Sequence, residues 1–185
     1  MSKHIIMNKL PLPVDQADYV DHILSQWCTA RPDLPIAPMA VFSRLFRLQA
    51  VASRDIDRSL RPLGVNPGEF DVIATLTRHG PPHALSPQQL AESLLLSSGA
   101  MTNRLDRLEQ AGLVARQPNP DDRRGIIVTL TELGRQTADA VLRAYLDILD
   151  RMLAPLAPDR REALAGLLRE LLLAHDRHAP GAIKP

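Results

Sequence analysis

The stretch from Ser86 to Gly112, SPQQLAESLLLSSGAMTNRLDRLEQAG, constrains this chain more than any other, because it encodes two short helices joined by a tight polar turn. Ser86 suits an N-cap, Pro87 suits the first helical position, where the missing N–H would be unpaired anyway, and Gln89 completes a Ser-x-x-Gln capping box. Leu90, Ala91 and Leu94 form the apolar face of this first helix. Ser97 or Ser98 caps a second helix, whose Met101, Leu105 and Leu108 recur at i, i+4 and i+7. Ser98, Thr102, Asn103, Asp106 and Arg107 are left on its other side, and Gly112 ends it. Such a pair is a helix-turn-helix or two members of any amphipathic bundle. Short hydroxyl and amide side chains at a helix start, followed by a basic residue, can donate to phosphates and read base edges in a major groove.

The residues after Gly112 favour the first reading. Leu113, Val114 and Ala115 make a short apolar run, Pro118-Asn119-Pro120-Asp121-Asp122 is a turn cluster, and Ile126 to Leu130 is rich in β-branched residues. Together they predict a two-stranded hairpin with Arg123 and Arg124 at its tip. Paired guanidinium groups on an exposed loop suit entry into a minor groove, where the potential is most negative. Two arginines in a turn are also a common solvated surface. After a helix-turn-helix, however, a basic hairpin makes a wing.

The run from Leu63 to Gly134, with SSGAMTNRLDRLEQAGLV and the wing DRRGIIVTLTELG, resembles the MarR family of dimeric winged-helix transcriptional regulators. The family's wing signature is matched by Asp122, Arg124, Val128, Leu130 and Thr131. The resemblance implies a mainly α fold: a winged helix-turn-helix with a two-stranded wing, plus N- and C-terminal helices that form a dimerisation domain. It implies N-terminal dimerisation helices in 1–62, a DNA-binding domain in 63–131, and C-terminal dimerisation helices in 132–185. The expected DNA contacts are Ser97, Ser98, Thr102, Asn103 and Arg107 on the second helix and Asp122, Arg123 and Arg124 on the wing, with Asp122 orienting Arg124.

The flanking segments fit that scheme. Asp15 to Cys28 predicts a helix with Val20, Ile23, Leu24 and Trp27 on one stripe. From about Met39 to Leu60 a longer helix carries Val41, Leu45, Leu48, Val51 and Ala52. Asn66, Pro67 and Glu69 start another helix, with Phe70, Ile73, Ala74 and Thr77 on one face. Glu132 to about Leu153 is apolar on more than one face, and Asp159 to about His175 follows a proline hinge, with a frayed tail after it. Helices flanking so small a winged domain would expose a large apolar patch, so a second copy of the chain is expected to cover it. A two-fold dimer in turn predicts a pseudo-palindromic operator with half-sites about one helical turn apart.

Composition narrows the alternatives. A net charge of +1 gives no global attraction to nucleic acid, so any such binding must come from local arginines. The single cysteine, Cys28, excludes an internal disulfide framework and any cysteine-built zinc site. The short Ile5-Ile6-Met7 run makes no secretory signal, no run reaches membrane-spanning length, and a cytoplasmic location is expected. His175 and His178 lack evident partner ligands and read as solvated. No phosphate-cradling glycine loop, metal cluster or nucleophile motif is present, so neither an enzyme nor a cofactor is expected.

Within the family the chain is similar to the PecS-like, urate-responsive branch, which has an extra N-terminal helix and a set of one tryptophan, one aspartate and two arginines. Those types stand here as Trp27, Asp71, Arg104 and Arg116. The resemblance implies a site for a small anionic aromatic ligand, a purine or a phenolic or heteroaromatic acid. Trp27 would be its flat wall, Arg116 and Arg104 its guanidinium donors, and Asp71 the group its charge repels. Each residue has a plainer role: Trp27 as core, Asp71 as a charge at a helix N-terminus, Arg104 as a partner of phosphate or carboxylate, Arg116 as strand surface. Ligand binding to a conformer with misaligned recognition helices would release DNA and relieve repression. Two competing readings are a redox sensor acting through Cys28 and an architectural DNA-binding protein without a ligand.

Overall fold

Local capping chemistry sets most of the element boundaries. The computed structural model describes residues 17–120 and 125–176. In chain order it contains α1 (Tyr19–Ala30), α2 (Ala37–Leu60), a 3-10 turn at Arg61–Leu63, α3 (Pro67–Arg78), β1 (Ala84–Leu85) and α4 (Pro87–Ser93). These are followed by α5 (Ser98–Gln110), β2 (Val114–Pro118), β3 (Ile126–Leu130), α6 (Glu132–Leu153) and α7 (Pro158–Asp176). Full capping boxes start α1 at Asp18, α3 at Asn66 and α4 at Ser86. Each satisfies backbone donors that the first turn would otherwise leave unpaired.

The chain forms two compact units that divide between Arg54 and Asp55, within α2. In the first, α1 is tied to α2 through Arg44, which reaches Asp18 at 2.8 Å and Asp21 at 2.7 Å. The Arg44 hydrogen bond holds the Asp21 carboxyl below the usual carboxylate range. The Arg47 guanidinium lies 4.7 Å from the centre of the Tyr19 ring, a cation–π contact between the same two helices. Val20 and Leu24 are buried, but Trp27, expected on the same stripe, is 40% exposed.

The second unit holds the main hydrophobic core. Leu60, Ile73, Leu76, Leu90, Met101, Leu105, Leu108 and Val128 are fully buried and bring α3, α4, α5 and the sheet into one cluster. The expected hairpin is present, with Val114 opposite Leu130 and Pro118 opposite Ile126. A third strand joins it: β1 pairs antiparallel with β3, giving the order β1-β3-β2. Two residues between a Pro-Pro pair and a helix cap carry no alternation from which a strand can be read, so β1 follows only from its long-range partner.

At the end of the wing, Thr131 caps α6 by accepting the Gly134 N–H at 2.9 Å, while its hydroxyl donates to the Gly112 carbonyl at 2.6 Å. The Thr131 N–H adds a bond to the Leu113 carbonyl at 3.1 Å. Residues 121–124, which carry Asp122, Arg123 and Arg124, lie outside the described residues, as do residues 1–16 and His178. The strands on either side of that wing segment are closed by the Asn119 N–H donating to the Gly125 carbonyl at 2.9 Å. His175 is exposed in the last turn of α7.

Candidate nucleic-acid interface

The inner face of α5 is fixed by Met101, Leu105 and Leu108, each about 1% exposed. That burial leaves no rotational freedom, so the opposite row of Ser98, Thr102, Asn103 and Arg107 faces outward and is exposed. Ser97 rather than Ser98 is the N-cap, its hydroxyl oxygen accepting the Ala100 N–H at 3.3 Å. Its own O–H remains able to donate. Thr102 donates to the Ser98 carbonyl at 2.9 Å, which leaves its oxygen available as an acceptor.

Two arginines hold α5 in place. Arg104 donates to the Gly68 carbonyl at 3.0 Å and pairs with Asp71 at 3.3 Å, tying α5 to the N-terminal end of α3. Gly68 makes room for it: a β-carbon there would lie 2.9 Å from the guanidinium carbon. Arg116, on β2, pairs with Asp106 at 2.6 Å and with Glu109, and its backbone N–H donates to Glu109 at 3.1 Å. Partial burial works against the Arg116 charge, but the bonds from Asp106 and Glu109 outweigh it and raise its pKa above the ordinary arginine value. The same contacts neutralise two carboxylates of α5, Asp106 and Glu109.

Of the four residues expected at a ligand site, the structure brings Asp71 and Arg104 into contact. Arg116 is engaged with acids of α5 that no motif pointed to, seven and ten residues before it. Trp27 stands on α1, and Cys28 beside it is exposed. Two further residues enter the picture. Gln88 and Leu95 line, together with Ser98 and Thr102, an open groove of about 1000 Å³ along α4 and α5. The sequence signals only apolar and polar faces of single helices, and a groove shared by two helices depends on how they cross.

Residues 63–125 match the family model described as MarR family. The chain is 36% identical over 149 residues to the HTH-type transcriptional regulator PecS of Dickeya dadantii, covering 80% of this chain and 90% of that protein. The chain belongs to the MarR family. This MarR-family chain is also 30% identical to the HTH-type transcriptional repressor MdtR of Bacillus subtilis, over 77% of its own length and 85% of MdtR. Among solved structures, a cysteine-to-serine variant of MarR from E. coli complexed with operator DNA matches with a TM-score of 0.64. The identity is 27%, and the match covers 76% of this chain and 99% of that one. AbsC of Streptomyces coelicolor, at 22% identity, shares the fold with a TM-score of 0.70 over 79% of this chain and 98% of its own. As a MarR-family winged-helix protein, the chain is a DNA-binding transcriptional regulator and not an enzyme. Among the described residues no helix is long and apolar enough to cross a membrane, and no group of three histidine, cysteine or acidic residues could hold a metal.

Proposed function

We propose that this regulator binds a pseudo-palindromic operator as a homodimer in the cytoplasm, represses from it, and is released by a small anionic aromatic ligand. The observation that carries the DNA half of this reading is the outward row on α5, held by a buried opposite face and two arginine clamps. Ser97, Ser98, Thr102, Asn103 and Arg107 would meet the major groove, and Arg124, oriented by Asp122 and joined by Arg123, the minor groove. Dimerisation through 1–62 and 132–185 is supported by the apolar side chains a single copy leaves exposed, including Phe42, Phe46, Leu146, Leu167 and Leu172.

The Asp71–Arg104 pair supports the ligand half. An anion that takes Arg104 from Asp71 would loosen the tie between α3 and the recognition helix, and Asp71 would then repel the same anion. Arg104 has one carboxylate partner, at 3.3 Å, whereas Arg116 is held by two, so Arg104 makes the first contact. Trp27, exposed on α1, is the aromatic residue that the family resemblance adds to this set. The ligand releases DNA only through its preference for the misaligned conformer; binding both conformers equally would change nothing.

The test is a titration of DNA from the chain's own upstream region at fixed salt, with urate, xanthine and a panel of aromatic carboxylates. Release by one of them is expected, weakening DNA affinity by about 5-fold to 150-fold for a coupling of roughly 1–3 kcal/mol. Trp27→Ala should keep DNA binding and lose the response. Binding that none of these compounds moves, but that peroxide abolishes and thiol restores, would transfer the sensing role to exposed Cys28.

A further inference from the structure

Leu95, at the corner between α4 and α5, combines two features that a corner residue does not need. Its φ is +53°, the left-handed region, and it is 83% exposed. The corner closes α4 by a paired motif in which the Leu96 N–H donates to the Ala91 carbonyl at 2.9 Å and the Leu95 N–H to the Glu92 carbonyl at 3.3 Å. The left-handed position in that motif is usually glycine or asparagine, because a β-carbon crowds the backbone there. The core does not call for leucine either: Leu94 and Leu96 on each side pack against it, and Leu95 does not. The side chain lines the same groove as Ser98 and Thr102, beside Gln88 at the start of α4.

We propose that Leu95 is a DNA-contacting residue, its side chain covered in the complex by apolar carbon of the duplex, a thymine methyl or a deoxyribose face. The proposal rests on the reading of α5 as the DNA-reading helix. It adds an apolar contact at the corner preceding that helix, where hydroxyl, amide and guanidinium groups otherwise dominate. Covering a leucine on binding strengthens the complex without releasing counterions, so this contact differs from an arginine contact in its response to salt.

The experiment compares Leu95→Gly, Leu95→Asn and Leu95→Met in the full-length protein, using a duplex that the wild type selects from a random pool. Glycine and asparagine suit the left-handed corner, so both variants should be no less stable to urea than wild type. Both should bind the duplex about tenfold more weakly with an unchanged salt slope, while methionine stays within about twofold of wild type. Once that loss is seen, replacing thymine by uracil assigns the contact: wild-type affinity falls where it is a methyl and holds where it is deoxyribose. Glycine and asparagine variants that bind like wild type, or whose loss tracks a loss of stability, overturn the proposal. A wild type that selects no duplex would remove the reading of α5 itself, which separates the two failures.

Discussion

Gly134→Ala is expected to destabilise the protein by about 3 kcal/mol, the upper part of the range for forcing an atom into a packed site. Gly134 is buried in the first turn of α6, and a β-carbon built on it would lie 1.9 Å from the Leu113 carbonyl oxygen and 2.9 Å from the Leu113 carbonyl carbon. Both obstacles are backbone, so no side-chain rotation relieves them. The Leu113 carbonyl also receives the Thr131 N–H, and moving it strains the joint that fixes the wing to α6. Gly99→Ala is the matched control: that glycine lies in the first turn of α5, and a β-carbon added there would meet nothing within 4 Å, so alanine should leave stability unchanged or raise it. Urea unfolding of the two variants at one protein concentration checks the contrast. Equal midpoints would mean that the Leu113–Gly134 approach is not tight in solution.

Arg107→Ala and Asn103→Ala are each expected to weaken operator binding by about 5-fold to 150-fold, the roughly 1–3 kcal/mol of a good base or phosphate contact. Both side chains are exposed, so their loss should leave folding stability within about 0.5 kcal/mol of wild type. The two variants should differ in kind. If Arg107 meets a phosphate, its loss lowers the salt slope by about one and weakens all sequences alike; Asn103 on a base edge leaves the slope and relaxes preference at one position. Anisotropy titrations over a salt series, on the selected duplex and on a scrambled one, separate these outcomes. A variant pair indistinguishable from wild type would mean that α5 presents a different row to DNA.

The parts of the fold that are legible in the sequence are those set within a few residues. Asn66 with Glu69 and Ser86 with Gln89 announce their helices because a capping box is a local exchange of hydrogen bonds. Met101, Leu105 and Leu108 announce the buried side of α5 because helical periodicity leaves one solution. Features that depend on distant partners are not legible. Strand β1 exists through Thr129 and Val128, more than forty residues away in the chain. The pairing of Arg104 with Asp71 follows from how α5 crosses α3, and the clamp on Arg116 from the return of β2 alongside α5. Leu95 is unreadable for another reason: in the run Leu94-Leu95-Leu96 the outer two side chains pack against the core and the middle one does not, and only the turn of the backbone exposes it. Trp27 fits an apolar stripe, yet burial on its helix extends only to Val20 and Leu24.

The most direct test of the central claim, that a two-fold pair of α5 helices reads DNA, is a hydroxyl-radical footprint of the wild type on its selected duplex, with the mass of the complex measured alongside. Two chains should be bound per duplex, with two protected patches related by two-fold symmetry and centred about one helical turn apart. A single asymmetric patch made by one chain, or protection spread evenly without regard to sequence, would contradict it.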